Sequence, residues 1–204
     1  RHSVRTVWDI QLDRLDNTTF QDIYQAWLDH NGVLRFPCQD LNDDNFLEFA
    51  ARFGELDLAP INANGGYWKP KYPELAVISN VVQNGKPVGS LGSYESKWHT
   101  DMSYNESPPK ASILYAIELP LEGGDTGFAS TAAAYDALSE EMKERIAGLT
   151  CKHDSSHNSV GQVRKGFQKT YQKREDTPGA VHPLVAEHPE TGRKVIYLGR
   201  RARA

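Results

Sequence analysis

From Leu75 onward glycine and proline cut the chain into short apolar runs, a pattern that favours strands and loops over long helices. Ala76-Val77-Ile78-Ser79 reads as a strand, and Gly85, Pro87, Gly89 and Gly92 punctuate the loop that leads to Trp98. A second apolar strand is expected over 111–119, then a turn at Gly123-Gly124-Asp125-Thr126 and a strand over 127–129. Two more, 182–187 and 194–198, are joined by the turn-forming Pro189-Glu190-Thr191-Gly192.

Helices flank these strands. Asn17-Thr18-Thr19 offers an N-cap ahead of Phe20, Ile23, Tyr24 and Trp27, which share one helical face, and Asn31-Gly32 closes the segment. After a short strand over 33–36, Asn42 opens a second helix that turns Phe46, Phe49, Ala50 and Phe53 inward before Gly54. The two are expected to cover a sheet. A third helix is expected over 130–148, with Tyr135, Leu138, Met142 and Ile146 inward and a local restart at Ser139. The stretch 152–180 is polar and reads as a mobile surface insertion or lid.

A chain of 204 residues with 39% hydrophobic and 25% charged residues can bury one sizeable core, so a single domain over 1–204 is expected. A formal net charge of −4 lacks the basic footprint of a nucleic-acid binder and points to small-molecule partners. Cys38 and Cys151 form no C-x-x-C pair, which disfavours a disulfide scaffold or a structural zinc site. No apolar run reaches the roughly 18 residues of a membrane span, so a cytoplasmic address is expected. Self-association is left open.

The chemistry gathers at Trp98-His99-Thr100-Asp101. On an extended strand, residues i and i+2 project from one face, so imidazole and carboxylate can grip one ion. Two His and one carboxylate on one face of an octahedron, with the other positions open, are the ligand set of non-haem iron(II) oxygenases. By itself H-x-D is short enough to arise by chance, and an exposed His–Asp pair on a strand edge is the plainer alternative.

Its neighbours narrow the choice. The segment 98–104, Pro108-Pro109, the apolar run 111–119, Gly123-Gly124-Asp125-Thr126 and the Tyr135 helix together resemble the TauD/TfdA family of Fe(II)/2-oxoglutarate-dependent dioxygenases. The resemblance extends from the first helix through Phe53-Gly54-Glu55 to His182-Pro183 and 188–193. It implies a mainly β fold with flanking helices, a double-stranded β-helix (jelly roll, cupin-like), here expected to be incomplete at the C-terminus. It also implies that His99 and Asp101 are iron ligands and that Thr126 hydrogen-bonds a 2-oxoglutarate carboxylate. The family's second His ligand, and the Arg that pairs with 2-oxoglutarate, are expected beyond residue 204.

Several histidines remain to be weighed. His182 and His188 each precede a proline or turn and read as strand-end or turn residues, whereas His153 and His157 read as loop residues near the site mouth. By proximity, Ser79, Asn80, Glu95, Met102 and Tyr104 are candidates to line a substrate pocket, and Arg200 and Arg201 to meet an anion.

The implied activity uses Fe(2+), 2-oxoglutarate and O2 to hydroxylate an unactivated C–H of a small anionic molecule, releasing succinate and CO2. An intact Asp101 points to oxygen insertion rather than halogenation, since related halogenases replace that carboxylate. Two alternatives stay open: desaturation or another oxidative rearrangement at the same centre, and a non-catalytic jelly-roll binding domain.

Overall fold

The computed structural model describes residues 4–30, 32–62, 65–92, 97–158, 160–164, 166–167, 171–173, 175–198 and 202–203. In chain order these form β1 (Arg5–Thr6), α1 (Asn17–Asp29), β2 (Leu34–Arg35), α2 (Asp43–Ala51), β3 (Ile78–Ser79), β4 (Val82–Gln83), β5 (Lys86–Pro87) and β6 (Ser90–Leu91). Then come α3 (Thr131–Asp136), α4 (Glu140–Ile146), β7 (Thr150–Asp154), β8 (Gly179–Pro183), β9 (Val185–Glu187), β10 (Lys194–Ile196) and β11 (Ala202–Arg203). They gather into two compact units whose segments alternate along the chain, 1–54, 111–147 and 185–196 in one, 55–110, 148–184 and 197–204 in the other.

The first unit holds the apolar core. Asp16, one residue before the expected cap, accepts the Thr19 amide at 2.7 Å and starts α1, and Asn42 does the same for Asn45 at 2.8 Å in α2. Both helices then direct aromatic residues inward. Phe53 meets Phe20 edge-on at 5.1 Å and Phe49 at 5.5 Å, with Leu12, Ile23 and Leu41 buried beside them. Burying these side chains, worth roughly 1.5–3 kcal/mol each, is the main local source of stability. β1 and β2 pair in parallel through only two residue pairs.

The strand expected over 111–119 is not a ladder strand, but it keeps the period of one. Residues 111, 113 and 115 are half-buried while 112, 114 and 116 are exposed, and Ile113 and Tyr115 pack on the core. No partner strand is assigned to it among the described residues, nor is the strand expected over 127–129 found. The expected 130–148 helix splits into α3 and α4, because Ser130 and Ser139 each cap a helix start at 3.2 Å. Met142 is consequently exposed rather than inward. The antiparallel β9–β10 hairpin is as expected, closed by the His188 amide on the Arg193 carbonyl at 2.8 Å.

In the second unit β8 pairs with β7, and β7 with β11, both antiparallel. Two-residue ladders join β3 to β6 in parallel and β4 to β5 antiparallel. The polar stretch 152–180 begins in β7 and ends in β8, so only 155–178 leaves the sheet. Its root is well buried: Ser156 is 0% exposed and donates to Asp154 Oδ1 at 2.5 Å, while the His157 Nδ1–H donates to Ser156 Oγ at 2.7 Å. His153 is thus a buried strand residue, not the loop residue expected. No described helix is long and apolar enough to cross a membrane.

Candidate metal centre

His99 and Asp101 come together, but not through the pleat of a strand. The segment 101–104 is a turn closed by the Asn105 amide on the Met102 carbonyl at 2.9 Å, and Met102 sits in the left-handed region at φ 47°. For a side chain other than glycine this costs about 1–2 kcal/mol. Such strain collects where surrounding structure holds a functional side chain in place. Just before this turn, His99 Nε2 and Asp101 Oδ1 lie 3.0 Å apart.

The other ring nitrogen defines what that contact means. His99 Nδ1 lies 2.6 Å from the Lys97 carbonyl oxygen. A carbonyl only accepts, so Nδ1 carries a proton and donates it. In the neutral ring Nε2 is then left with a lone pair that faces a carboxylate oxygen. Two acceptors 3.0 Å apart are held together only if a cation lies between them, either a second ring proton or a metal ion. Donors bound about 2.1 Å from one octahedral ion at right angles stand about 3 Å apart, which the pair matches. A backbone carbonyl that fixes the tautomer through Nδ1 is also the usual outer partner of a metal-bound imidazole. Both side chains reach solvent, at 32% and 55% exposure, so an ion and a small cosubstrate have access.

Met102 is half-buried, and Tyr104 is half-buried with the Arg164 guanidinium 4.4 Å above its ring. Asn80 is exposed just after β3, Ser79 turns its hydroxyl to the Val81 amide at 3.0 Å, and Glu95, Arg200 and Arg201 lie outside the described residues. Thr126 is exposed in the first unit, after Gly123 and Gly124, both at positive φ. His188 accepts the Glu190 and Thr191 amides at 3.3 Å, as a turn histidine should. Among the described residues no group of three or more His, Cys, Asp or Glu side chains is placed to hold an ion.

Sequence reasoning did not single out Arg164 and read His182 only as a strand-end residue; both lie beside this turn. Arg164 stacks on Tyr104, and His182 reaches the carbonyls of Ser103 and Asn105 at 2.9 and 3.0 Å. The signal for His182 was present: alternation in β8 places Ala180 and His182 on one side and the exposed Val181 on the other.

Comparison with known proteins decides the family. The model of "Taurine catabolism dioxygenase TauD, TfdA family" matches residues 2–204. The chain belongs to the TauD/TfdA family. A TauD/TfdA relative, the (S)-phenoxypropionate/alpha-ketoglutarate-dioxygenase of Sphingobium herbicidovorans, is 34% identical over 97% of this chain and 68% of its own length. Pentalenolactone F synthase of Streptomyces avermitilis is 30% identical over 90% of this chain and 63% of its own. The crystal structure of AAD-2 in complex with Mn(II) and N-oxalylglycine superposes with a TM-score of 0.72 at 28% identity, covering 99% of this chain and 71% of that one. The fold is therefore that of the TauD/TfdA dioxygenases, the jelly-roll family inferred from sequence.

Proposed function

We propose that the protein is an Fe(II)- and 2-oxoglutarate-dependent dioxygenase that hydroxylates an unactivated C–H of a small anionic organic molecule. The observation that carries this reading is the His99–Asp101 pair, with Nε2 and Oδ1 3.0 Å apart and the Nδ1 proton donated to the Lys97 carbonyl. His99 Nε2 and an Asp101 carboxylate oxygen would hold the iron. When bound, iron with 2-oxoglutarate and O2 supplies the oxidising power, with release of succinate and CO2.

The chain's own residues do the rest. The Lys97 carbonyl accepts the His99 Nδ1–H and leaves Nε2 facing Asp101. The Thr126 hydroxyl would donate to a 2-oxoglutarate carboxylate. The third protein ligand would be a His beyond residue 204, in the part of its relatives' length that this chain does not span. An anionic substrate is favoured by Arg164, a guanidinium stacked on Tyr104 three residues after Asp101, and by the phenoxypropionate named for one relative. Asn80, Glu95, Met102 and Tyr104 are the proposed substrate neighbours.

The test is succinate formation from 2-oxoglutarate with a panel of aryloxyalkanoates, sulfonates and their neutral analogues. Stimulation by the anionic members alone is expected, and equal stimulation by neutral analogues would remove the anionic assignment. A second reading, desaturation or another oxidative rearrangement at the same centre, draws on the likeness to a protein named as a synthase. Product mass separates the two, since hydroxylation adds one oxygen and desaturation removes two hydrogens.

A further inference from the structure

We infer that His182 is a positioning residue for the metal centre, acting through the backbone of the turn that carries Asp101; this rests on the ligand reading above. His182 lies on β8 opposite Cys151 of β7 and is 9% exposed. Its ring is wedged edge-on against His153 at 5.0 Å and against Tyr197 at 5.3 Å, so its direction is set by packing from two sides. Its Nε2 meets two carbonyl oxygens, Ser103 at 2.9 Å and Asn105 at 3.0 Å. Because both partners only accept, Nε2 bears the proton and shares it between them.

The two carbonyls belong to the same turn. Ser103 follows Asp101 by two residues and is buried, and the Asn105 amide closes the turn on Met102. Beyond its own Asn105–Met102 bond, the turn, strained by a positive φ at Met102, gains from His182 an external donor on two of its carbonyls. Removing that donor leaves a buried carbonyl unsatisfied, an expense of roughly 1–3 kcal/mol that the turn can relieve by swinging toward water. Asp101, at the start of the turn, would move with it and lose its place beside Nε2 of His99.

The decisive comparison uses the full-length protein and Mn(II) binding by calorimetry, with His182→Ala, His182→Gln, His182→Asn and Asp101→Ala. The amide nitrogen of Gln occupies roughly the place of Nε2, whereas that of Asn stops near Nδ1. Expected is an affinity about tenfold weaker for H182A and H182N, the usual size of an outer-partner effect, with H182Q close to the parent. Saturating metal should still give the parent's stoichiometry in every His182 variant, because His182 is not a ligand. Melting of the metal-free proteins reports separately on packing. If H182Q and H182N bind alike, or if affinity simply follows the metal-free melting temperature, the positioning role is overturned. If Asp101→Ala binds as the parent does, the ligand reading has failed and takes this inference with it.

Discussion

His99 Nε2 and Asp101 Oδ1 face each other across 3.0 Å, with the His99 Nδ1 proton already donated to the Lys97 carbonyl. Asp101→Ala removes one of the two facing acceptors at an exposed position. Metal binding and 2-oxoglutarate turnover should be abolished while stability changes by no more than about 0.5 kcal/mol. Calorimetric metal titration beside a melting curve checks both halves, and a variant that fails to fold would contradict the second.

Thr126→Ala should act on the cosubstrate alone. A hydroxyl donating to a carboxylate contributes roughly 1.5–3 kcal/mol, so the KM for 2-oxoglutarate should rise about tenfold or more with metal affinity unchanged. An unchanged KM would remove Thr126 from the site.

His153 sets an acid limit on stability. It is buried, its Nδ1 has no hydrogen-bond partner among the described residues, and burial, with His182 beside it, holds its pKa below the ordinary imidazole value of 6.5. The unfolded chain therefore takes up a proton that the folded chain resists. Stability contributed by the neutral ring is present above about pH 6.5 and is lost as pH falls from there through the depressed folded value. His153→Phe keeps a flat ring of similar size, and melting curves at pH 7.5 and 5.5 should show a smaller acid loss in this variant than in the parent.

Gly179 marks where 155–178 returns to the sheet. Its φ is +122°, and a Cβ there would lie 1.9 Å from the His153 carbonyl oxygen. Gly179→Ala should destabilise the protein by more than about 3 kcal/mol. A denaturant melt within 1 kcal/mol of the parent would show that β7 and β8 can part locally without cost.

Much of this was legible in the sequence where the physics is local. The helix start at Asn42, the local restart at Ser139, the aromatic faces of α1 and α2, and the 188–193 turn all follow from side chains acting within a few residues. The family was legible too, because several blocks recur in order. What escaped was non-local. The run 111–119 has the alternation of a strand, but alternation cannot say whether a partner lies alongside. H-x-D was expected on a strand and instead lies outside any assigned strand, next to a turn with a left-handed Met102, a residue with no sequence bias toward positive φ. His182 looked like a strand end because its two partners lie 79 and 77 residues away.

The central claim is that His99 and Asp101 hold iron for 2-oxoglutarate chemistry. Anaerobic addition of Fe(II) and then 2-oxoglutarate to the full-length protein should raise a weak visible charge-transfer band that Asp101→Ala lacks. No band from the parent protein, or an undiminished band from the variant, would contradict the account.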